Sequence, residues 1–539
     1  MNKILSAFAT VVLGAGLQVA QPASSADLAS HEATPALVLA TLIGPGQDAA
    51  PVQSGSPEAV MEYLRKRDFG RALEAASRLV AATPDAPQAH DLQGSAYLGK
   101  GDVASARKSF NKALALDPDD IPALWNLAQL DIRQNDLTNA KKRYERILAK
   151  DPDNVEAMIG MAVASKMDGR PTDNIAWLEK AKRQKPEDVL PSLALAMHYL
   201  SVNDGAKALA ELTEAQRSHP DSAELLELLG RVQIANARYN DAVVTYKRLV
   251  SLKPASEQAY FRLGMAQVRA KNAGDATQSL KKAVQLKPDY AAAIDMLARL
   301  ELAAGRKERA VELAKELQRV APKSSDGFAL EGDLLALQTR YTEATKAYET
   351  AFSIQQSAAL AVKMHAALTR AGDAKQADAK LEHWLKDHPD DIPAWQYAAS
   401  EDVRAGRDSA AIGKYEQLLT RTPDDANALN NLAVLYQRAR DPRAVAVAER
   451  AYKVLPDSPI IADTLGWILV EAGEVARGLE FARKAAARAP SNPQIRYHLA
   501  VALAKSGDKP GARRELKSLL ASKDNFPQRQ AADRLLSQL

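Results

Sequence analysis

Residues 87–120 read PQAHDLQGSAYLGKGDVASARKSFNKALALDPDD, and this stretch decides the fold. Two apolar-periodic segments flank Gly101-Asp102, a pair that supplies a tight turn. In the first segment Gly94 stands where a side chain would hold two helices apart, and Tyr97 follows it. In the second, Ala106, Phe110 and Ala113 recur on one helical face, small residues alternating with a large one so that two helices interlock. Asp117-Pro118 ends that segment, because proline cannot continue a helix and disfavours helix at the residue before it. The proline is one tooth of a comb: Pro84, Pro118, Pro152, Pro186, Pro220, Pro254, Pro288 and Pro322 follow one another every 34 residues. One helix–turn–helix unit is therefore copied many times. With the comb proline at position 32, repeats start at 53, 87, 121, 155, 189, 223, 257, 291, 325, 358, 392, 426, 459 and 493, fourteen in all.

The small–large–small face returns as Ala140, Tyr144, Ile147; Ala242, Tyr246, Leu249; Ala276, Leu280, Ala283; Ala344, Tyr348, Ala351; and Ala411, Tyr415, Leu418. On these residues and this period the chain resembles the tetratricopeptide repeat (TPR) family. The resemblance implies an all-α fold, a right-handed α-α superhelix of about fourteen helix–turn–helix repeats in which each packs on its neighbours. After Phe526-Pro527, Ala531, Leu535, Leu536 and Leu539 lie at helical spacing and predict a C-terminal capping helix. Asn174 replaces the small residue at position 20 and predicts a looser helix pair over 155–188. Near Gln356 the comb loses a residue, which predicts a shortened loop at 353–358. Met364, His365 and Trp384 then take atypical places, so 325–391 reads either as a joint between two arrays or as a divergent repeat. A second deletion falls in the turn around Arg440-Asp441-Pro442.

Lysine and arginine number 71 against 67 acidic residues, a net charge of +4 with no concentrated basic patch, which gives no electrostatic case for nucleic acid. The absence of cysteine excludes disulfides, thiolate metal sites, a cysteine nucleophile and a lipid-bearing cysteine. Lys3, the uncharged stretch from Ile4 to Val19 and Ser24-Ser25-Ala26 read as an export signal cleaved after Ala26, with an uncleaved membrane anchor as the alternative. The expected organisation is a signal peptide at 1–26, a flexible proline- and glycine-rich linker at 27–56, an N-terminal array at 57–357, a C-terminal array at 358–526 and a cap at 527–539. The expected place of work is outside the cytoplasm, in a periplasm.

No HExxH, Walker A, GxGxxG or GxSxG pattern is present, and the eight histidines show no metal-ligand spacing. The expectation is a chain that is not an enzyme, needs no cofactor or metal, and binds protein. In the TPR family partner segments lie along the first helix of each repeat, chiefly at positions 2, 5, 9, 12 and 13. Carried onto this chain, those positions include Trp125, Ile132, Ile159, Val163, Met167, Leu193, Met197 and Leu200, an apolar lining that implies either a partner surface or a cover from within, by a segment such as 27–56 or by a tighter superhelix. They also include a polar set, Asn427, Asn430, Gln437 and Arg438, followed by Asp463 and Trp467.

Residues 426–539, with ALNNLAVLYQ, ADTLGWILVEAGEVARGLEFARKAAARAPSNPQIRYHLAVALAKSGDKPGARRELKSLLAS and FPQRQAADRLL, carry a narrower resemblance. They are similar to the TPR-repeat proteins of the PEP-CTERM/exosortase system and its exopolysaccharide gene clusters. Those proteins are typically longer and lipid-anchored, and the lack of cysteine departs from that pattern. The resemblance implies an envelope scaffold for exopolysaccharide production or export, or for surface-protein sorting. The alternative is a periplasmic peptide- or chaperone-type protein that holds extended clients.

Overall fold

The computed structural model describes residues 55–521 and 526–539. The expected signal peptide and nearly all of the expected linker lie outside them. Among the described residues there are twenty-nine α-helices and no β-strand. Helices α1 (Pro57–Arg65) to α28 (Lys509–Ala521) alternate as the first (A) and second (B) helices of fourteen hairpins, and α29 (Arg529–Gln538) follows. The chain forms two compact units, one ending at Leu297 and the other beginning at Ala298, inside α15 (Ala291–Ala303).

The hairpin around α3 (Pro87–Gly99) and α4 (Val103–Leu116) shows how the sequence dictates the unit. Gly101, at φ 83°, provides the left-handed residue of the turn. Asp102 then caps α4, its carboxylate accepting from the Ser105 amide at 3.0 Å. A Cβ on Gly94 would meet the Phe110 ring at 2.5 Å, so only glycine lets the two helices close on that ring. Ala106, Phe110 and Ala113 are fully buried. The next hairpin, α5 (Ile121–Arg133) and α6 (Leu137–Lys150), buries Ala140, Tyr144 and Ile147 in the same register. Each buried alternation of small and large side chains makes a core shared only with adjacent hairpins, which is how a solenoid stays together without a central core.

The departures from the comb take definite forms. Asn174, on α8 (Pro171–Gln184), does not loosen its hairpin with α7 (Val155–Met167). It is buried like the alanines it replaces, and its amide donates to the Ala162 carbonyl at 2.8 Å, which ties the two helices together. Near Gln356 the loop is indeed short: three residues separate α18 (Tyr341–Ile354) from α19 (Ala358–Ala371), and Ser357 caps α19. The second deletion does not shorten the turn as expected: five residues separate Arg438 from α24 (Ala444–Val454), and it is α24 that is short, beginning after Pro442-Arg443. At the C-terminus α29 lays Ala532 fully buried, with Leu535, Leu536 and Leu539 partly buried, against Leu516, Leu519 and Phe526. The last apolar face of the array is thereby covered.

Candidate partner-binding faces

In the unit that ends at Leu297, α5, α7 and α9 (Leu190–Ser201) are successive A helices. On α7 the residues Ile159, Val163 and Met167 stand four apart, one stripe along the helix. Val163 is 42% and Met167 47% exposed, and Ile159 is partly covered. Leu193 and Met197, partly exposed, continue the apolar surface on α9. Lys166 donates to Ser201 Oγ at 2.9 Å and fixes α7 against α9 beside the stripe. Burial, and secondarily the Lys166 charge, lowers the pKa of His198 on α9, which disfavours a charged imidazolium there.

The remaining predicted apolar residues divide by depth. Trp125 and Ile132 on α5 are half-buried, with the Trp125 ring tilted against Tyr144 at 5.6 Å. Leu200 is only 7% exposed and packs with Ala196, Ala208 and Leu212, so it belongs to the hairpin core and not to the lining. Position 12 turns toward the partner helix in that repeat, a distinction that sequence spacing alone does not make.

In the unit that begins at Ala298, the corresponding face is built by α23 (Ala426–Arg438), α25 (Pro459–Glu471) and α27 (Pro493–Lys505). Asn430 and Asp463 occupy position 5 of successive repeats and are both buried. Asp463 Oδ2 lies 2.8 Å from His498 Nδ1, which donates to it, and the His498 ring stacks on Trp467 at 4.3 Å. One face of Trp467 is therefore already occupied from within the chain. Asn427 is exposed, Gln437 half-buried, and Arg438 pairs with Asp408 at 3.4 Å. Gathering of the polar set is thus partial: Asp463, Trp467 and His498 form one assembly, while Arg438 is directed to its neighbouring B helix.

Sequence reasoning passed over a set of buried polar ties. Asp131 on α5 is nearly inaccessible and accepts from Arg107 at 2.7 Å and Arg143 at 2.8 Å. Asp402, at the same repeat position on α21 (Ile392–Arg404), accepts from Arg407 at 2.7 Å and Lys414 at 2.6 Å. Gln233 takes a hydrogen bond from Thr245, and Gln267 one from Ser279, both at 2.8 Å. In all four hairpins position 11 of the A helix meets position 23 of the B helix. Polar residues twelve apart in a fixed register were the available signal. Among the described residues no group of three or more potential metal ligands is assembled, and no helix is long and apolar enough to cross a membrane.

Two tetratricopeptide repeat family models match the chain, one at residues 58–121, 126–189, 193–257, 229–291 and 398–459, the other at 267–334 and 469–539. A TPR repeat-containing protein of Pseudomonas aeruginosa, PA4667, is 28% identical over 172 residues, which cover 31% of this chain and 29% of that protein. The match thus spans under a third of the relative's length. Among solved structures, Naa15/Naa10 bound to HypK-THB aligns over 89% of this chain and 95% of its own at 14% identity and a TM-score of 0.39. Yeast Tom70 aligns over 86% and 98% at 12% identity and 0.37, and MamA over 30% and 94% at 22% identity and 0.27. Scores this low bear on neither fold nor function.

Proposed function

The chain belongs to the tetratricopeptide repeat family, and on that premise we propose that it is an exported, non-enzymatic scaffold that gathers protein partners in the cell envelope. Repeats of this kind are suited to protein–protein interaction, since stacked hairpins expose long rows of A-helix side chains. The observation that carries the reading is the apolar stripe of Ile159, Val163 and Met167 with Leu193 and Met197 beside it, two of whose members are more than two-fifths exposed. An apolar row that stays partly exposed among the described residues is the usual mark of a partner surface. The finer assignment is to exopolysaccharide production or export, or to PEP-CTERM/exosortase-linked sorting. It is supported by the sequence of residues 426–539, and the envelope location by the leader-like residues 1–26.

The polar face around Asp463 and Trp467 supplies a second contact region on the same reading. Methionines at 167 and 197 favour one variation, the holding of extended client segments, because unbranched thioether chains adapt to different apolar partners. The discriminating experiment is co-purification from envelope extracts with wild type and with Met197→Glu. A scaffold retains a defined set of partners that the variant loses; recovery of only heterogeneous unfolded chains favours the client-holding variation, and unchanged recovery in the variant discards the groove.

A further inference from the structure

The B-helix side of the second unit carries a separate opening, marked by a glycine. Several helical glycines of this chain are explained by close neighbours: a Cβ on Gly160, Gly230 or Gly332 would meet a tyrosine ring at 2.4 Å, whereas Gly274, in the first turn of its helix, meets none. Gly413, the sixth residue of α22 (Asp408–Arg421), is different. No heavy atom lies within 4 Å of where its Cβ would stand, and its backbone is ordinary helix. Glycine destabilises a helix interior relative to alanine, so a position with no internal need for it is explained by something outside the chain that comes close.

What lies beside Gly413 is a cleft of about 420 Å³ between α20 (Ala374–Asp387) and α22, with Trp395 and the buried Leu385 in its wall. Its origin can be read from the repeat register. Trp384 stands at position 27, where Ala113 and Ala351 stand in their repeats, and it is buried at the boundary of α20 and α21 with Nε1 donating to Asp391 Oδ2 at 2.7 Å. An indole in place of an alanine adds bulk at that boundary, and the cleft opens there. The wall is held in place. Trp395 Nε1 donates to the Pro389 carbonyl at 3.0 Å, and the Arg421 guanidinium sits 5.8 Å from the ring centroid, anchored to Asp390 at 3.4 Å. Lys414 is committed to Asp402, so it offers its aliphatic stem to the cleft. At the rim Glu382 and Lys386 have no ionic partner among the described residues, one an acceptor and the other a donor.

We infer that this cleft receives one aromatic side chain of a partner polypeptide, stacked on Trp395 alongside Gly413, with Glu382 and Lys386 meeting N–H and C=O groups of the flanking main chain. The inference rests on the reading of the chain as a protein-binding scaffold but uses the B helices α20 and α22, with Trp395 contributed from the first turn of the A helix α21. An apolar, flat-walled cleft with a fixed indole suits an aromatic ring in offset stacking, and the opposed, unpaired charges at its mouth complement the two polarities of a peptide backbone. A sugar ring also stacks on an indole and bonds to carboxylate and ammonium groups, so the glucose arm of the test separates the two.

The test uses the full chain labelled with 5-fluorotryptophan, whose five resonances include that of Trp395, assigned with Trp395→Phe. Titration with N-acetyl-tyrosinamide is expected to shift the Trp395 resonance saturably, and glucose to leave it unmoved. Gly413→Leu places a side chain in the cleft from a Cβ position that meets no neighbour, and is expected to weaken that titration at least tenfold with the melting temperature unchanged or raised. Gly413→Ala is expected to weaken it by a smaller factor, because its Cβ meets only the incoming ring. Absence of a saturable shift, an equal shift in Gly413→Leu, or a response to glucose alone overturns the inference. Met197→Glu leaves the Trp395 titration intact if both readings hold, so failure here and failure of the A-helix face are separately visible.

Discussion

The A-helix face at α7 and α9 and the one at α23, α25 and α27 use the same repeat positions for opposite chemistry. In the first, positions 5, 9 and 13 are Ile159, Val163 and Met167, the first partly covered by the hairpin core and the other two exposed. In the second, position 5 is Asn430 and then Asp463, withdrawn from solvent, and position 9 is Trp467, covered on one side by His498. The hairpin fixes where these positions point and leaves their chemistry free. An apolar residue there is available for binding at little cost in stability. The polar ones are only partly met from within: Asp463 Oδ2 is held by His498, while Asp463 Oδ1 and Asn430 Oδ1 are buried without a hydrogen-bond partner among the described residues.

That contrast can be broken most forcefully at the buried ties that both units share. Asp131→Ala leaves Arg107 and Arg143 without their common acceptor, and Asp402→Ala does the same to Arg407 and Lys414. Each is expected to destabilise its own unit by about 3–5 kcal/mol, read by hydrogen exchange in that unit. Equal loss of protection in both units from either variant would show that the units do not unfold separately. Next in size, Asp463→Ala removes the His498 partner and is expected to cost about 1.5–3 kcal/mol in the second unit. A cost under half of that would mean that Trp467 and His498 hold each other without it.

The first unit has its own buried carboxyl. Burial, and then the neighbouring Asp120, push the Asp91 pKa up from 3.8 to about 9, so the folded state binds a proton that the unfolded state releases. Its contribution is complete below about pH 4 and disappears as pH rises through about 9. Protection in the first unit should therefore fall across that range, and Asp91→Asn should flatten the dependence without altering the second unit. In the second unit Thr339 holds a left-handed turn at φ 62°, an expensive conformation for a β-branched residue. Thr339→Gly is expected to stabilise that unit by about 1 kcal/mol in a thermal melt. Smallest of all, Val163→Ser and Met167→Ser should change stability by no more than about 0.5 kcal/mol while weakening partner binding.

The sequence carried the fold almost completely. The proline comb set the hairpin register, Gly94 against Phe110 set the approach of the helices, and the two deletions appeared as a shorter loop and a shorter helix. The face was less readable, because spacing assigns a residue to a side of a helix but not to a depth. Leu200 and Val163 look alike in the repeat table, yet Leu200 is enclosed by Ala208 and Leu212 and Val163 stands free. His498 reaches Trp467 from the next repeat, a contact between residues 31 apart that no single-helix pattern displays. The cleft beside Gly413 depends on Trp384 in one repeat and a missing side chain in the next, and neither suggests a cavity alone.

The most direct measurement places a photocrosslinking amino acid at Met167, and at Val244 as a control that is 69% exposed on a B helix. Irradiation in the intact cell should join Met167 to one discrete polypeptide in high yield, with the band lost in Met197→Glu and absent from Val244. Equal labelling from both positions, or a band that survives Met197→Glu, would contradict a partner seated on the A-helix face.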